Sequence, residues 1–287
     1  MHSGTTLTQF IIEEQRHIAG ATGDFTALLN DLVTAIKVIA IAVNKGALVG
    51  TMGALESQNV QGETQKKLDV ITNDIMIRTN EWAGHLAGMA SEEMDDVYSI
   101  PQQYPLGKYL LVFDPLDGSS NIDTNVSIGT IFSILEAPEH GDASTHDAFL
   151  QKGRDQLAAG YILYGPQTTL VMTLGDGTQM FTLDRRRGTF ICTNRAMKIP
   201  AKTKEFAINS SNHRHWNEPT KRYIEECIHG KDGARGEDTN MRWVGSLVAD
   251  GHRILVRGGV YLYPADKRKG YDEGRLRLIY ESNPIGW

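Results

Sequence analysis

Asp114 and Asp117 stand three residues apart in KYLLVFDPLDGSSNID, directly behind an apolar run. Two carboxylates at the end of a buried strand can meet shared hard cations, magnesium or manganese, which prefer oxygen ligands. The carbonyl of the intervening Leu116 is available to the same ions. Gly118 lets the backbone approach a ligand closely. The amides and hydroxyls of Ser119 and Ser120 can hold phosphate oxygens, especially where they open a helical turn. An Asp-Pro turn with surface serines accounts for the dipeptide alone, but poorly for DPLDGSS behind five apolar residues. The chemistry in view is phosphate held beside cations.

A cation cluster needs more than two acids. The candidates are Glu92 and Glu93 in ASEEMDD, Asp69 in KKLDVITND, Glu63 in QGETQKK and Glu281 in IYESNP. Taken singly, Glu63 and Asp69 read equally well as solvated helix positions, and Glu92-Glu93 as an exposed loop. Glu281 ends an apolar run, as Asp114 does. HExxH, GxSxG and P-loop patterns do not occur, and His213, His215 and His252 have no companion cysteines, which argues against zinc. The triplet Arg185, Arg186 and Arg187 reads as a solvated hairpin turn. Lys267, Arg268, Lys269, Arg275 and Arg277 precede the Glu281 segment and could steer an anionic sugar phosphate.

The elements that must position these groups follow from the texture of the chain. The 287 residues suffice for one large domain or two smaller ones. Apolar residues from Phe25 to Val43 recur at helical spacing and predict a long helix, roughly 26–44, capped by Thr22 or Asp24 and ended by Gly46. Residues 47–62 lose periodicity, hold several glycines and read as a mobile loop. A second helix is expected over roughly 64–88. Thereafter YLLVF, VSIGTIFSIL, AAGYILYG, TTLVMTL, QMFTL and GTFICT read as strands. Pro115 would stop the first of them. The polar segment 136–155 reads as a surface excursion. After the link MKIPAKTK, a strand FAINSS, helices EPTKRYIEECI and SLVADGHRILVR, and strands GVYLYP and RLRLIYE are expected. A boundary near residue 198 divides two α/β lobes, 1–197 and 198–287.

Composition narrows the function classes. Hydrophobic residues make up 40% and charged residues 22%, an ordinary globular balance. A formal net charge of −6 argues against a general nucleic-acid binder. It does not exclude an anionic substrate, because bound cations reverse the local potential. The two cysteines, Cys192 and Cys227, suit a reducing compartment better than a disulfide scaffold. Glu13 and Glu14 interrupt any signal-peptide core near the N-terminus. Apolar runs of membrane-spanning length are not expected, and the protein is read as soluble and cytoplasmic.

D-P-L-D-G-S-S with an upstream Glu-Glu resembles the lithium-sensitive, metal-dependent phosphatase superfamily. The fuller run KYLLVFDPLDGSSNIDTNVSIGTIFSI resembles class I fructose-1,6-bisphosphatase. GDFTALLN, KKLDVITND, RWVGSLVADGHRILVRGGVYLYP and GRLRLIYESNP agree, in the family's order, from Thr22 to Pro284. The resemblance implies a layered α/β/α/β/α sandwich. It also implies hydrolysis of the 1-phosphate of fructose 1,6-bisphosphate in gluconeogenesis by a homotetramer using two or more magnesium ions per subunit. Sedoheptulose-1,7-bisphosphatase is the nearest enzymatic alternative. A catalytically silent sugar-phosphate or nucleotide sensor is the alternative of another class.

By similarity, Glu92, Asp114, Asp117 and Glu281 would ligate metal, with the Leu116 carbonyl and Glu63 assisting. Asp69 and Glu93 would orient and deprotonate water. Asp117, Gly118, Ser119 and Ser120 would border the 1-phosphate. Asn212, Trp243 and Tyr263 would take the 6-phosphate, with Arg242 reaching in from a neighbouring subunit and Arg275 near the sugar. By the same resemblance Thr22, Gly23, Asp24, Thr26, Lys108 and Tyr109 correspond to an allosteric AMP site, although from the sequence alone ordinary helix capping by Thr22 or Asp24 is the better reading. Several positions depart from the family pattern. Glu136 stands where animal enzymes carry an AMP-contacting arginine, Trp243 and His215 replace tyrosines, and Arg275 replaces a lysine. The chain ends six residues after Glu281, so the family's usual C-terminal strand and helix are not expected.

Overall fold

A computed structural model describes residues 4–17, 23–49, 54–58, 64–139 and 142–287. Helices α1 (Leu7–Gln15) and α2 (Asp24–Lys45) come first, then strands β1 (Ala54–Gln58) and β2 (Thr64–Lys66) and helix α3 (Lys67–Asn80). The large sheet takes β3 (Leu86–Ser91), β4 (Tyr98–Ser99), β5 (Tyr109–Asp117) and β6 (Ile128–Glu136). After the short helix α4 (His146–Phe149) it adds β7 (Ala158–Tyr164), β8 (Thr168–Thr173), β9 (Thr178–Asp184) and β10 (Thr189–Met197). Its order is β10-β9-β8-β7-β6-β5-β3-β4. The β3–β5 pair is parallel and the other neighbours are antiparallel.

The remaining chain supplies β11 (Glu205–Ile208), α5 (Glu218–His229), β12 (Asn240–Met241), α6 (Leu247–Arg257), β13 (Val260–Leu262) and α7 (Asn283–Gly286). Strand β11 pairs in parallel with both β12 and β13. Apolar faces stack these elements in layers, because each sheet face must be covered. Helices α1 to α3 bury Phe10, Leu28, Leu32, Ile36 and Met76 against Phe113, Phe132 and Ile162 of the large sheet. Leu247 and Val248 of α6 meet Ile131, Tyr161 and Val171 on the opposite face, with Tyr261 of β13 packed alongside. Beyond the small sheet, Trp216, Ile224 and Cys227 close a further core over Phe206 and Ile208. This is the expected α/β/α/β/α sandwich.

Several local expectations are corrected. Residues 54–58, within the segment read as a loop, form a strand antiparallel to 64–66. The second helix is confined to Lys67–Asn80, and Leu86–Ser91 is a strand buried along its whole length. RLRLIYE is not a strand: Leu278–Ser282 is a π-helical turn leading into α7. Strand β5 runs through Pro115 to Asp117. Helix α2 is long and apolar enough, by length and composition alone, to cross a membrane, contrary to the expectation that no run would be. Its Leu28, Leu29, Leu32, Ile36 and Ile39 lie in the main core, as befits a core helix.

Candidate active site

The site is built at the carboxyl end of β5. In a regular strand, residues three apart point to opposite faces. Here the pairing slips: Asp114 is opposite Ile131 and Asp117 opposite Gly129, so three steps on β5 match two on β6. This is a β-bulge, where proline is tolerated. The Thr130 hydroxyl donates to the freed Pro115 carbonyl at 2.8 Å. The bulge brings Asp114 and Asp117 together, and a carboxylate oxygen from each lies within 4.8 Å of one on Glu281. All three are buried.

Each acid is delivered by a different element. Glu92 follows the end of β3, whose parallel pairing with β5 brings it beside Asp114. Glu281 sits in the π-helical turn, where its carboxylate accepts the Arg277 backbone N–H. Asp117 is held from across the chain. It accepts the Ser246 hydroxyl at 2.6 Å and the amides of Leu247 and Val248 at 3.2 and 2.9 Å, the first turn of α6. A carboxylate is favoured at a helix N-terminus. Gly118 has φ 79°, and a Cβ there would lie 2.6 Å from Ser246 Cβ, so the turn admits only glycine comfortably. Ser119 and Ser120 open the 3₁₀ turn that follows, Ser119–Thr124.

The electrostatics fit a cation. Four carboxylates, Glu92, Asp114, Asp117 and Glu281, share the guanidinium of Arg277, which lies 2.8 Å from Glu92 and 3.5 Å from Glu281. Burial, reinforced by Glu93 and Glu281 and opposed by Arg277, pushes the Glu92 carboxyl up to about 8. Burial likewise raises Glu281 to about 7. It holds Asp114 well above the usual carboxylate range, with Glu92 and Asp117 adding to the effect. Burial also raises Asp117, against its hydrogen bonds from Ser246, Val248 and Leu247. Buried acids in deficit of positive charge are the donor set a hard divalent cation takes.

These groups line a cavity of about 550 Å³ together with Lys66, Glu93, Leu116, Gly118, Ser119, Ser120, Trp243, Tyr263 and Arg275. Its far wall is aromatic. Trp243 stacks on Tyr261 and Tyr263 at centroid distances of 5.7 and 5.6 Å, and the Arg275 guanidinium lies 5.8 Å from the Tyr263 ring. Asp69 is buried at the start of α3, where it accepts the Lys66 amide, and it does not line the cavity. Asn73, one turn further along, accepts the Ser91 hydroxyl at 2.6 Å, and that oxygen in turn accepts the Glu93 amide.

Asn212 lies in the 3₁₀ turn Ser210–His215 and is not among the residues lining the cavity. Arg242 is exposed, near Glu205, and also outside the lining. Glu63 and Thr22 lie outside the described residues. At the other proposed site, Gly23 caps α2 without a side-chain bond, Asp24 pairs with Lys108 at 3.3 Å, and Thr26 donates to Gln15. Tyr109 packs edge-on to Phe25 and is in register with Glu136. Sequence reasoning missed Ser246, Asp250 and the placement of Arg277 among the acids. Ser246 carried an N-cap signal, a serine just ahead of LVAD; the other two had none.

Layering and an acid-lined cavity under a Gly-Ser-Ser turn define an α/β phosphatase of the sugar-phosphatase class, a hydrolase. Family models described as fructose-1-6-bisphosphatase N-terminal and C-terminal domains match residues 5–195 and 199–287. The chain belongs to the fructose-1,6-bisphosphatase family. It is 59% identical over 289 residues to fructose-1,6-bisphosphatase class 1 of Halorhodospira halophila (strain DSM 244 / SL1), covering 99% of this chain and 85% of that protein. Two solved structures of Leishmania major fructose-1,6-bisphosphatase superpose on it. The holo form has TM-score 0.90 and 36% identity, covering 99% of this chain and 85% of that one. The apo form has TM-score 0.84 and 34% identity, covering 99% and 84%.

Proposed function

We propose that the protein hydrolyses the 1-phosphate of fructose 1,6-bisphosphate, giving fructose 6-phosphate and phosphate, in gluconeogenesis. The observation that carries this reading is the Asp114–Asp117–Glu281 cluster facing an aromatic and arginine wall across one cavity. Glu92, Asp114, Asp117 and Glu281, with the Leu116 carbonyl and Glu63, would hold two or more magnesium ions, manganese being the alternative. Bound magnesium supplies charge stabilisation at the phosphate and acidifies water. The chain does the rest. Gly118, Ser119 and Ser120 cradle the 1-phosphate. Glu93, aligned through Ser91 and Asn73 with the helix that carries Asp69, shares with Asp69 the orientation of water and the acceptance of its proton. Arg275, Tyr263, Trp243 and Asn212 take the 6-phosphate end; an arginine suits phosphate by its forked donors.

Residues 1–197 then form a regulatory lobe bearing the metal motif, and 198–287 a substrate lobe. Arg242, exposed and outside the cavity lining, suits a reach into a neighbouring subunit of a homotetramer. At the Lys108–Tyr109 surface, Asp24 and Glu136 would oppose a nucleotide phosphate, so AMP is expected to inhibit weakly. Two free cysteines suit a cytoplasmic enzyme.

The test is phosphate release from fructose 1,6-bisphosphate, sedoheptulose 1,7-bisphosphate and inositol monophosphate, with and without magnesium and AMP. Fructose 1,6-bisphosphate should be turned over best. If it is the poorest of the three, the reading fails. Thermal stabilisation by sugar phosphate without phosphate release would favour a sensor.

A further inference from the structure

The loop between β12 and α6 makes the far wall of the cavity through Trp243, and its Ser246 bonds Asp117. One buried unit fixes that loop. Asp250, fully buried on the first turns of α6, accepts the Val244 amide at 3.0 Å and the Gly245 amide at 3.2 Å. Arg253 binds Asp250 at 2.9 Å, Glu205 at 3.0 Å and the carbonyl of Arg242 at 3.2 Å. The backbone is therefore gripped immediately before Trp243 and at both residues after it. Asn121, from the turn carrying the serines, donates to the Val244 carbonyl at 3.3 Å.

A buried ion pair is weak support for stability, since desolvation offsets much of its attraction. What this one fixes is geometry. Gly245 has φ 81°, a conformation few residues adopt, and both Asp250 amide contacts converge on that turn. The indole at Trp243 can stack flat against both Tyr261 and Tyr263 only while the turn is held.

We propose that Asp250, with Arg253, is a positioning residue for the substrate: it acts through the Arg242–Ser246 loop to set the Trp243 wall against which the non-reacting end of the sugar phosphate binds. This rests on the bisphosphatase reading. The mechanism predicts a split between binding and chemistry, because the wall faces the end of the substrate remote from the acids.

The experiment compares wild type, Asp250→Asn, Arg253→Lys, Trp243→Phe and the Asp250→Asn/Trp243→Phe double variant. It reads calorimetric binding of fructose 6-phosphate and steady-state phosphate release, after thermal melts establish folding. Asp250→Asn should weaken fructose 6-phosphate binding and raise KM about tenfold or more, with kcat changed less than about threefold. The double variant should be little worse than Asp250→Asn alone, because both act through one wall. Arg253→Lys keeps a positive charge but loses the fork, and should show a smaller rise in KM of the same kind. If wild type fails to bind fructose 6-phosphate, the bisphosphatase reading fails. If wild type binds and Asp250→Asn binds as tightly, or the effects of the two substitutions simply multiply, the positioning role is overturned. Should Asp250→Asn not fold, unchanged binding in a folded Arg253→Lys overturns it instead.

Discussion

The Asp117 carboxylate and the Ser246 hydroxyl, 129 residues apart in the chain, are joined by a 2.6 Å hydrogen bond. This bond ties the buried acidic cluster of the large sheet to the helix that begins the opposite wall. Both amides at the start of α6 close on the same carboxylate. On the proposed reading Asp117 would have two tasks, ligand donor and fastening between layers.

Comparing variants at Asp117 and Ser246 separates the two. Asp117→Ala removes a ligand and should lower kcat/KM about 10³-fold or more, the scale of several kcal/mol of charge stabilisation. Ser246→Ala leaves the ligand but frees its orientation, and should weaken magnesium binding about 10- to 100-fold. Phosphate release and magnesium titration measure these. Near-normal turnover in Asp117→Ala would contradict the site.

Stability of the metal-free protein should depend on pH through Glu92. Its carboxyl titrates near 4.5 when unfolded and about 8 when folded. Between those values the folded state keeps a proton that the unfolded state releases, so stability falls as pH rises through this window. Thermal melts in chelator at pH 5, 6.5 and 8 should show the decline, shallower in Glu92→Gln. A Glu92→Gln profile as steep as wild type would exclude Glu92 as its source.

Arg277 provides positive charge to Glu92 and Glu281. Arg277→Gln should destabilise the metal-free protein by about 1–3 kcal/mol, somewhat below the loss from breaking a fully buried pair. The loss should be larger at pH 8 than at pH 5, and magnesium should narrow it. Denaturant titrations in chelator and in magnesium provide the comparison; an equal loss in both would mean the arginine is not compensating the acids.

Gly118→Ala places a methyl against Ser246 at a positive φ. A destabilisation of about 1–3 kcal/mol is expected from strain and overlap, with a fall in phosphate release. Denaturant melts and the phosphate assay check this, and a neutral outcome would mean the turn has another way to relax.

Much of the site was legible because its chemistry needs particular residue types. Two acids, a glycine and two serines behind YLLVF can do little else together. The geometry that joins them was less legible. Pro115 looked like a strand end, whereas the sheet absorbs it as a bulge with Thr130 satisfying the carbonyl. LAGMAS was missed as a strand because it lacks the β-branched and aromatic residues that mark strands; small side chains fit it between covered faces. RLRLIYE alternates like a strand, but Glu281 accepts the Arg277 amide and closes a turn. Asp250 sits in an ordinary amphipathic helix, and its partners at Val244 and Gly245 become evident only once the loop folds back.

The slipped register of β5 has a consequence for how this motif can vary. Same-side acids on an unbroken strand would be spaced two apart, and here the spacing is three because one residue is out of phase with β6. Deleting any residue between Asp114 and Asp117 would restore a regular ladder and keep both acids side by side. It would also remove the out-of-phase step in which the Leu116 amide donates to Asp114 and the Pro115 carbonyl accepts from Thr130. The extra residue thus supplies the backbone groups that fasten Asp114 and Thr130, and substitutions should be accepted there more readily than changes in length.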